Sequence, residues 1–223
     1  MLTRIYISDD FGVFYIFIAI VITLRSVING GYELAIVLPK KDEDAINLLA
    51  LGFIINCLIS LALLVFIALF NNDFATLLGN KEIAFWLYFL PISVFFIGLF
   101  NVLNYFNNRI KKYKDLRKAI ILKSIILAVV QSSFGFIKSG ACGLISGDII
   151  SNMFANVRLL KNIFKDRNLI FKISKVKIIA ISRQYKDFPK YNLISSLCDV
   201  LALQLASIII PRIFSLTIGG YFF

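Results

Sequence analysis

Long uncharged apolar runs alternate with short charged segments along this chain. Ala45–Phe70 and Ile83–Asn108 each run 26 residues without a charge. Runs of about 18 residues or more read as membrane-crossing helices, because about 20 residues at ~1.5 Å rise span the hydrocarbon. Four weaker runs carry isolated charges: Phe11–Leu38 holds Arg25 and Glu33, Ala119–Ile137 holds Lys123, Ser139–Val157 holds Asp148, and Tyr191–Pro211 holds Asp199. Pro39 ends the first, since proline cannot continue a helix without losing a hydrogen bond. Pro91 predicts a kink in Ile83–Asn108, and Lys138-Ser139-Gly140 a tight hairpin. Leu216–Phe223 reads as the start of a further span. The expected fold is an all-α integral membrane bundle of six transmembrane helices plus a truncated seventh.

Composition agrees. Of 223 residues 59% are apolar and 17% charged, and mean hydropathy is +0.84. A soluble single-core domain is excluded, as is a disulfide scaffold with only three cysteines. An outer-membrane barrel would show alternating strands of about ten residues, and the chain has none of that pattern. The net charge of +11 is a topology signal. Two basic residues lie in Pro39–Asp44, six in Arg109–Lys118 and ten in Arg158–Lys190, eighteen of the chain's 24, all on alternate loops. By the positive-inside rule these loops are expected in the cytoplasm and Met1–Asp10 outside. Anionic membrane lipids are then expected partners, and no nucleic acid is needed to explain the charge. In Arg158–Lys190, Leu169, Ile170, Phe171, Ile173, Val176 and Ile179 interleave with Lys172, Lys175, Lys177 and Arg183, the pattern of a basic amphipathic helix on the membrane surface. No apolar segment precedes an outside amino terminus, and the carboxyl end stops inside an apolar run. The chain is therefore expected to be incomplete at both ends.

Several segments resemble the amino-terminal half of bacterial oligosaccharide flippases, the O-antigen and polysaccharide exporters of the multidrug/oligosaccharidyl-lipid/polysaccharide exporter superfamily. They are Leu2-Thr3-Arg4-Ile5-Tyr6, Asp10-Phe11-Gly12, Tyr32-Glu33-Leu34-Ala35-Ile36-Val37-Leu38-Pro39-Lys40, Asn47-Leu48-Leu49-Ala50-Leu51, Trp86-Leu87-Tyr88-Phe89-Leu90-Pro91, Leu103-Asn104-Tyr105 and Tyr185-Lys186-Asp187-Phe188-Pro189. The resemblance implies a polysaccharide biosynthesis protein of the inner membrane that serves lipopolysaccharide assembly. It implies two lobes of about twelve to fourteen helices in total, rocking about a central cavity. On that scale the chain holds helices two to seven and part of eight. Residues 1–157 would be first-lobe helices, 158–187 a cytoplasmic connector and 188–223 the start of the second lobe. One departure is Gly30-Gly31, where the family often places Arg before the Tyr-Glu pair.

Ionisable groups within helices usually face a cavity or a partner, because their burial in lipid is costly. A lipid-linked oligosaccharide carries a diphosphate, and a guanidinium binds phosphate bidentately. Arg25 is the candidate for that role, the alternative being a structural pair with Glu33 or Asp148. Glu33 reads as cavity lining or interfacial pairing. Asp148 and Asp199 are candidates for a coupling proton or sodium ion, or for helix–helix hydrogen bonding through Asn152, Ser195 or Ser196. Lys123 is expected to snorkel to the cytoplasmic surface. Asn56, Ser60, Asn101, Asn104, Gln131 and Ser132 could line a path for sugar hydroxyls, or could join helices. Asn29-Gly30-Gly31 is either a helix break facing the cavity or a tolerated packing pair.

No histidine occurs, and the cysteines lack metal-ligand spacing. Nucleotide-binding glycine patterns and a nucleophile elbow are absent too. A transporter rather than an enzyme is expected, with no cofactor. The leading expectation is a flippase for an isoprenoid-diphosphate-linked oligosaccharide, working beside other polysaccharide-assembly membrane proteins. The alternatives are a multidrug antiporter of the same fold, a membrane polymerase or glycosyltransferase, and an inactive remnant. Orientation is directly testable: in intact cells a cysteine at Met1 should react with an impermeant thiol reagent, and cysteines between Lys165 and Lys175 should not. The reverse pattern would overturn the path.

Overall fold

The structure is a computed structural model that describes residues 5–78, 83–137, 140–165 and 167–213. Among these, every regular element is helical. Leu216–Phe223, Lys138 and Ser139 lie outside the described residues.

Helix α1 (Ser8–Arg25) opens with Asp9 and Asp10 in its first turn, where carboxylates complement the helix dipole. The Asp10 carboxylate accepts the Ile7 N–H at 3.3 Å. The apolar run continues to Leu38, but the helix does not. Gly30 and Gly31 adopt φ of 65° and 73°, left-handed values that glycine takes without steric cost. Only a single turn, α2 (Tyr32–Ala35), follows. The expected continuous span Phe11–Leu38 is thus a helix, a break and one turn.

Helix α3 (Asp42–Leu77) opens with Asp42, Glu43 and Asp44, kinks at Phe70 and runs 36 residues, about 54 Å at helical rise. It extends past Phe70, the end of the uncharged run, through Asn71–Leu77. A short α4 (Ile83–Leu87) and a turn at Tyr88-Phe89 precede α5 (Leu90–Arg109). Pro91 sits in the first turn of α5, where no N–H is required, so it starts the helix rather than kinking it. Helix α6 (Tyr113–Phe136) starts six residues before the expected Ala119. Helix α7 (Ala141–Lys165) runs beyond Val157 and packs along α6 through a reversal at Gly140, φ 59°. Then come α8 (Arg167–Ile170), α9 (Lys175–Gln184), a π-helical turn Phe188–Asn192 and α10 (Leu193–Ile213).

Among the described residues, three helices are long and apolar enough to cross a membrane by length and composition: α3, α5 and α6. Their burial differs. Leu58, Leu61, Leu64 and Leu69 of α3 and Ile121, Ile125 and Val129 of α6 are exposed. Helix α5 is the hub. Its Val94, Ile97, Val102, Leu103 and Phe106 are buried, and it packs on α1, α3, α6 and α7. Side-chain amides fasten its middle turn from three directions. Asn56 of α3 donates to the Phe95 carbonyl at 3.0 Å, Asn156 of α7 to that of Phe96 at 2.8 Å, and Asn29 of the break to that of Gly98 at 3.0 Å. Gly98 lies where no side chain fits: a Cβ would stand 2.7 Å from Asn56 Oδ1 and 2.8 Å from Ile28 Cγ2.

The three basic loops lie together at one end of the bundle. Arg109 pairs with Asp42 at 3.0 Å, Arg158 with Asp115 at 3.0 Å, and Glu43 with both Lys172 (2.7 Å) and Lys177 (2.8 Å). Asn47 secures the same strap, donating to the Lys172 carbonyl at 3.2 Å and accepting the Ser174 N–H at 3.0 Å. The amphipathic α9 accordingly packs against α3 through Ile178 and buried Ile181, while Val176 and Ile179 remain exposed.

Hydrogen bonds from Lys172 and then Lys177 hold the Glu43 carboxyl down from 4.5 to about 2. A depressed carboxyl contributes fully above its unfolded value and loses that contribution as pH falls through its folded one. Protection of the backbone amides of residues 172–177 from hydrogen exchange, relative to their intrinsic rate at each pH, should therefore stay high above pH 4.5 and fall as pH approaches 2. Glu43→Gln should remove the pH dependence. In the core, Gly98→Ala should lower stability by about 1–3 kcal/mol, the usual cost of overpacking, seen as a lower unfolding temperature in detergent. An unchanged temperature would show that Asn56 and Ile28 can move aside.

Candidate functional site

Because α1 stops at Arg25, its guanidinium stands at the helix end instead of inside a continuous span. It borders a cleft of about 310 Å³ lined by residues of α1, α2, α5 and α10 and by Ser26. Arg25, Ser26, Glu33, Asn101, Tyr105 and Ser196 supply its polar lining, and Ile22, Leu34 and Val200 its apolar walls. Arg25 Nε donates to Asn101 Oδ1 at 3.1 Å. That bond fixes the plane of the guanidinium and leaves both terminal nitrogens without a partner among the described residues.

Glu33 comes from α2, one turn beyond the glycine pair. It is only 8% exposed, and its Oε2 has no hydrogen-bond partner. It interacts electrostatically with Arg25 without closing an ion pair, and the Tyr105 hydroxyl feels both charges. The break thus brings a cation and a carboxylate to one cleft although α1 and α2 are separate helices. Glu33 thus lies in the lining of the cleft.

Lys123 does not snorkel outward. Its ammonium lies 5.7 Å from the centre of the Phe100 ring, half-buried, and it interacts with Asp148 on α7 and with Arg25. Asp148 accepts the Asn152 amide at 3.2 Å, one of its expected partners.

Two candidates lie apart. Asp199 of α10 is exposed, with no hydrogen bond or ion pair among the described residues. Its neighbour Val200 and Ser196, one turn earlier, face the cleft instead. Asn104 is half-buried outside the cleft lining, and Asn101, one turn before it, takes the place by Arg25. Asn56 and Gln131 join helices, Asn56 donating to the Phe95 carbonyl of α5 at 3.0 Å and Gln131 to the Leu144 carbonyl of α7 at 3.2 Å, whereas Ser60 donates to Asn56 within α3 at 3.4 Å. Tyr105 and Ser26 were not among the candidates. Tyr105 falls four positions after Asn101, a helical spacing that places both on one face. Ser26 carries no sequence signal beyond following Arg25.

Among the described residues, no cluster of three or more His, Cys, Asp or Glu could hold a metal ion. The model of a family described as polysaccharide biosynthesis protein matches residues 1–223. Neither a curated protein nor a solved structure matches the chain.

Proposed function

The chain belongs to the polysaccharide biosynthesis protein family, and from that premise we propose that it is a flippase for an isoprenoid-diphosphate-linked oligosaccharide. In this reading α1, α3, α5, α6, α7 and α10 cross the inner membrane, and the three basic loops face the cytoplasm, as the positive-inside rule requires. The protein moves its substrate between leaflets without making or breaking bonds, so it is a transporter and not an enzyme. The substrate served is a surface glycan precursor of the O-antigen kind, handled beside other polysaccharide-assembly membrane proteins.

The observation that carries this reading is Arg25. A diphosphate crossing the bilayer needs a cation in a wet cavity. The guanidinium stands at the cleft, oriented by Asn101, with its terminal nitrogens open for phosphate oxygens. Lys123 adds a second positive charge within electrostatic range. Asn101, Ser26, Ser196 and Tyr105 offer donors and acceptors for hydroxyl groups around it. A cationic drug would meet Arg25 unfavourably, which disfavours a multidrug antiporter. Helix α10 packs along α1 and supplies one wall of the cleft. Rocking of the lobe that contains α10 would open the cleft to one side and then the other.

The test is translocation of a diphosphate-linked oligosaccharide in proteoliposomes, together with restoration of surface glycan in a flippase-deficient strain. Hydrogen bonds to a charged group contribute about 1.5–3 kcal/mol, so Arg25→Ala should slow translocation roughly 10- to 100-fold. Arg25→Lys should fall between, because it keeps the charge but loses the planar fork. Wild-type rates with Arg25→Ala would remove Arg25 from the site.

A further inference from the structure

We propose that a second cleft, at the ends of α3, α5 and α6 around Arg109 and Lys111, binds the phosphate of an anionic membrane lipid. It lies where the basic loops gather and shares no lining residue with the Arg25 cleft. It does not depend on the flippase reading.

The cleft has a volume of about 450 Å³ and is lined by Val37, Asp42, Asn108, Arg109, Lys111 and Tyr113. The Arg109 side chain is only 11% exposed. Its Nη1 donates to the Val37 carbonyl at 3.2 Å and its Nη2 to Asp42 at 3.0 Å, while its Nε is buried with no partner. A guanidinium carries five N–H donors, so the protein leaves this one short of acceptors. Asp42 offsets its charge. The net positive charge of the lining is then that of Lys111, which makes no ion pair among the described residues.

Lys111 stands where glycine is usual. Its φ is 56°, a left-handed value. The turn closes α5: the Lys111 N–H donates to the Asn108 carbonyl and the Lys112 N–H to that of Asn107, both at 3.0 Å. Glycine commonly fills that position, because a Cβ costs free energy there. A lysine gives up that stability and places an ammonium at the cleft. Helix α6 starts two residues later, and no side chain caps its N-terminus. Asp115 in its first turn is taken up by Arg158. The open N–H groups of that turn favour an anion.

The surroundings suit an amphiphile. Val37 and Leu38 are exposed, and along α6 the exposed Tyr113 is followed at four-residue steps by exposed Arg117, Ile121 and Ile125. A phosphate held in the cleft leaves acyl chains free to run along that face of α6, a helix apolar enough to cross a membrane. A free phosphate would use none of it. Basic pockets between membrane helices are suited to anionic headgroups.

Native mass spectrometry of the full chain in detergent, with dioleoyl phosphatidylglycerol or dioleoyl phosphatidylcholine added, tests the site. One phosphatidylglycerol should bind about tenfold more tightly than phosphatidylcholine, and it should raise the unfolding temperature. Arg109→Ala should remove the preference, but it also loses the bonds to Val37 and Asp42. Lys111→Gly separates binding from folding: the preference should fall roughly three- to tenfold, while the lipid-free protein stays at least as stable because glycine relieves the backbone. Lys111→Arg should keep the preference. Equal binding of the two lipids, or an unchanged preference in Lys111→Gly, would overturn the site. Displacement of phosphatidylglycerol by an equal concentration of inorganic phosphate would overturn the lipid as its occupant. None of these readouts involves translocation, so their failure is distinct from failure of the flippase reading, which the Arg25 variants decide.

Discussion

Lipid gives two apolar helix faces little reason to meet, since the chains around them are as apolar as leucine. Direction must come from polar contacts and close packing. Here it comes from one turn of α5, where the carbonyls of Phe95, Phe96 and Gly98 take amide groups from Asn56, Asn156 and Asn29. A helix carbonyl keeps a second lone pair after its own ladder bond, and these bonds use it. Each contributes only about 0.6 kcal/mol on average. Their effect is registry: α3, α7 and the break each meet α5 at one height. Farther along, Asn162 donates to Asn107 Oδ1 at 2.7 Å and holds α7 on α5 again.

The break after α1 is held from both sides. Asn29 binds it to α5. On the other side, Tyr32 donates to the Ser182 carbonyl of α9 at 3.3 Å. A Cβ at Gly31 would lie 3.4 Å from the Phe188 carbonyl, so glycine lets the π-helical turn approach closely. The segment that carries Arg25 and Glu33 thus touches both the hub and the connector leading into α10. A displacement of α10 would be felt at the cleft through these contacts, and the strap of Glu43, Asn47, Lys172 and Lys177 keeps that connector seated on α3.

Charge in the core is arranged as two couples around α5, Arg25 with Glu33 and Lys123 with Asp148. Neither couple closes into an ion pair. Closed pairs occur instead at the end holding the basic loops, where water screens them and single exposed pairs contribute little. Open couples inside the bundle leave charges available to a ligand, which a closed pair would neutralise.

Hydropathy and charge were legible in the residues themselves. The long uncharged runs placed α3 and α5, and the clustering of Lys and Arg on alternate loops anticipated that those loops share one end, because both patterns need only composition along the chain. Glycine geometry allowed a break at Asn29-Gly30-Gly31 without deciding it; contacts with Ile55, Phe188 and Gly98 did. The turn at Tyr88-Phe89 and the extension of α3 past Asn71 carry no local marker, since they depend on what packs against those residues. Asp199 and Asn104 looked equivalent to Asp148 and Asn101 in sequence. Facing direction separates them, and it is set by how helices rotate about their own axes. Rotation is fixed only when distant amides, glycines and carbonyls meet, so the chain alone marked which runs are apolar enough to cross a membrane, and the packed bundle decided which charges face the cleft.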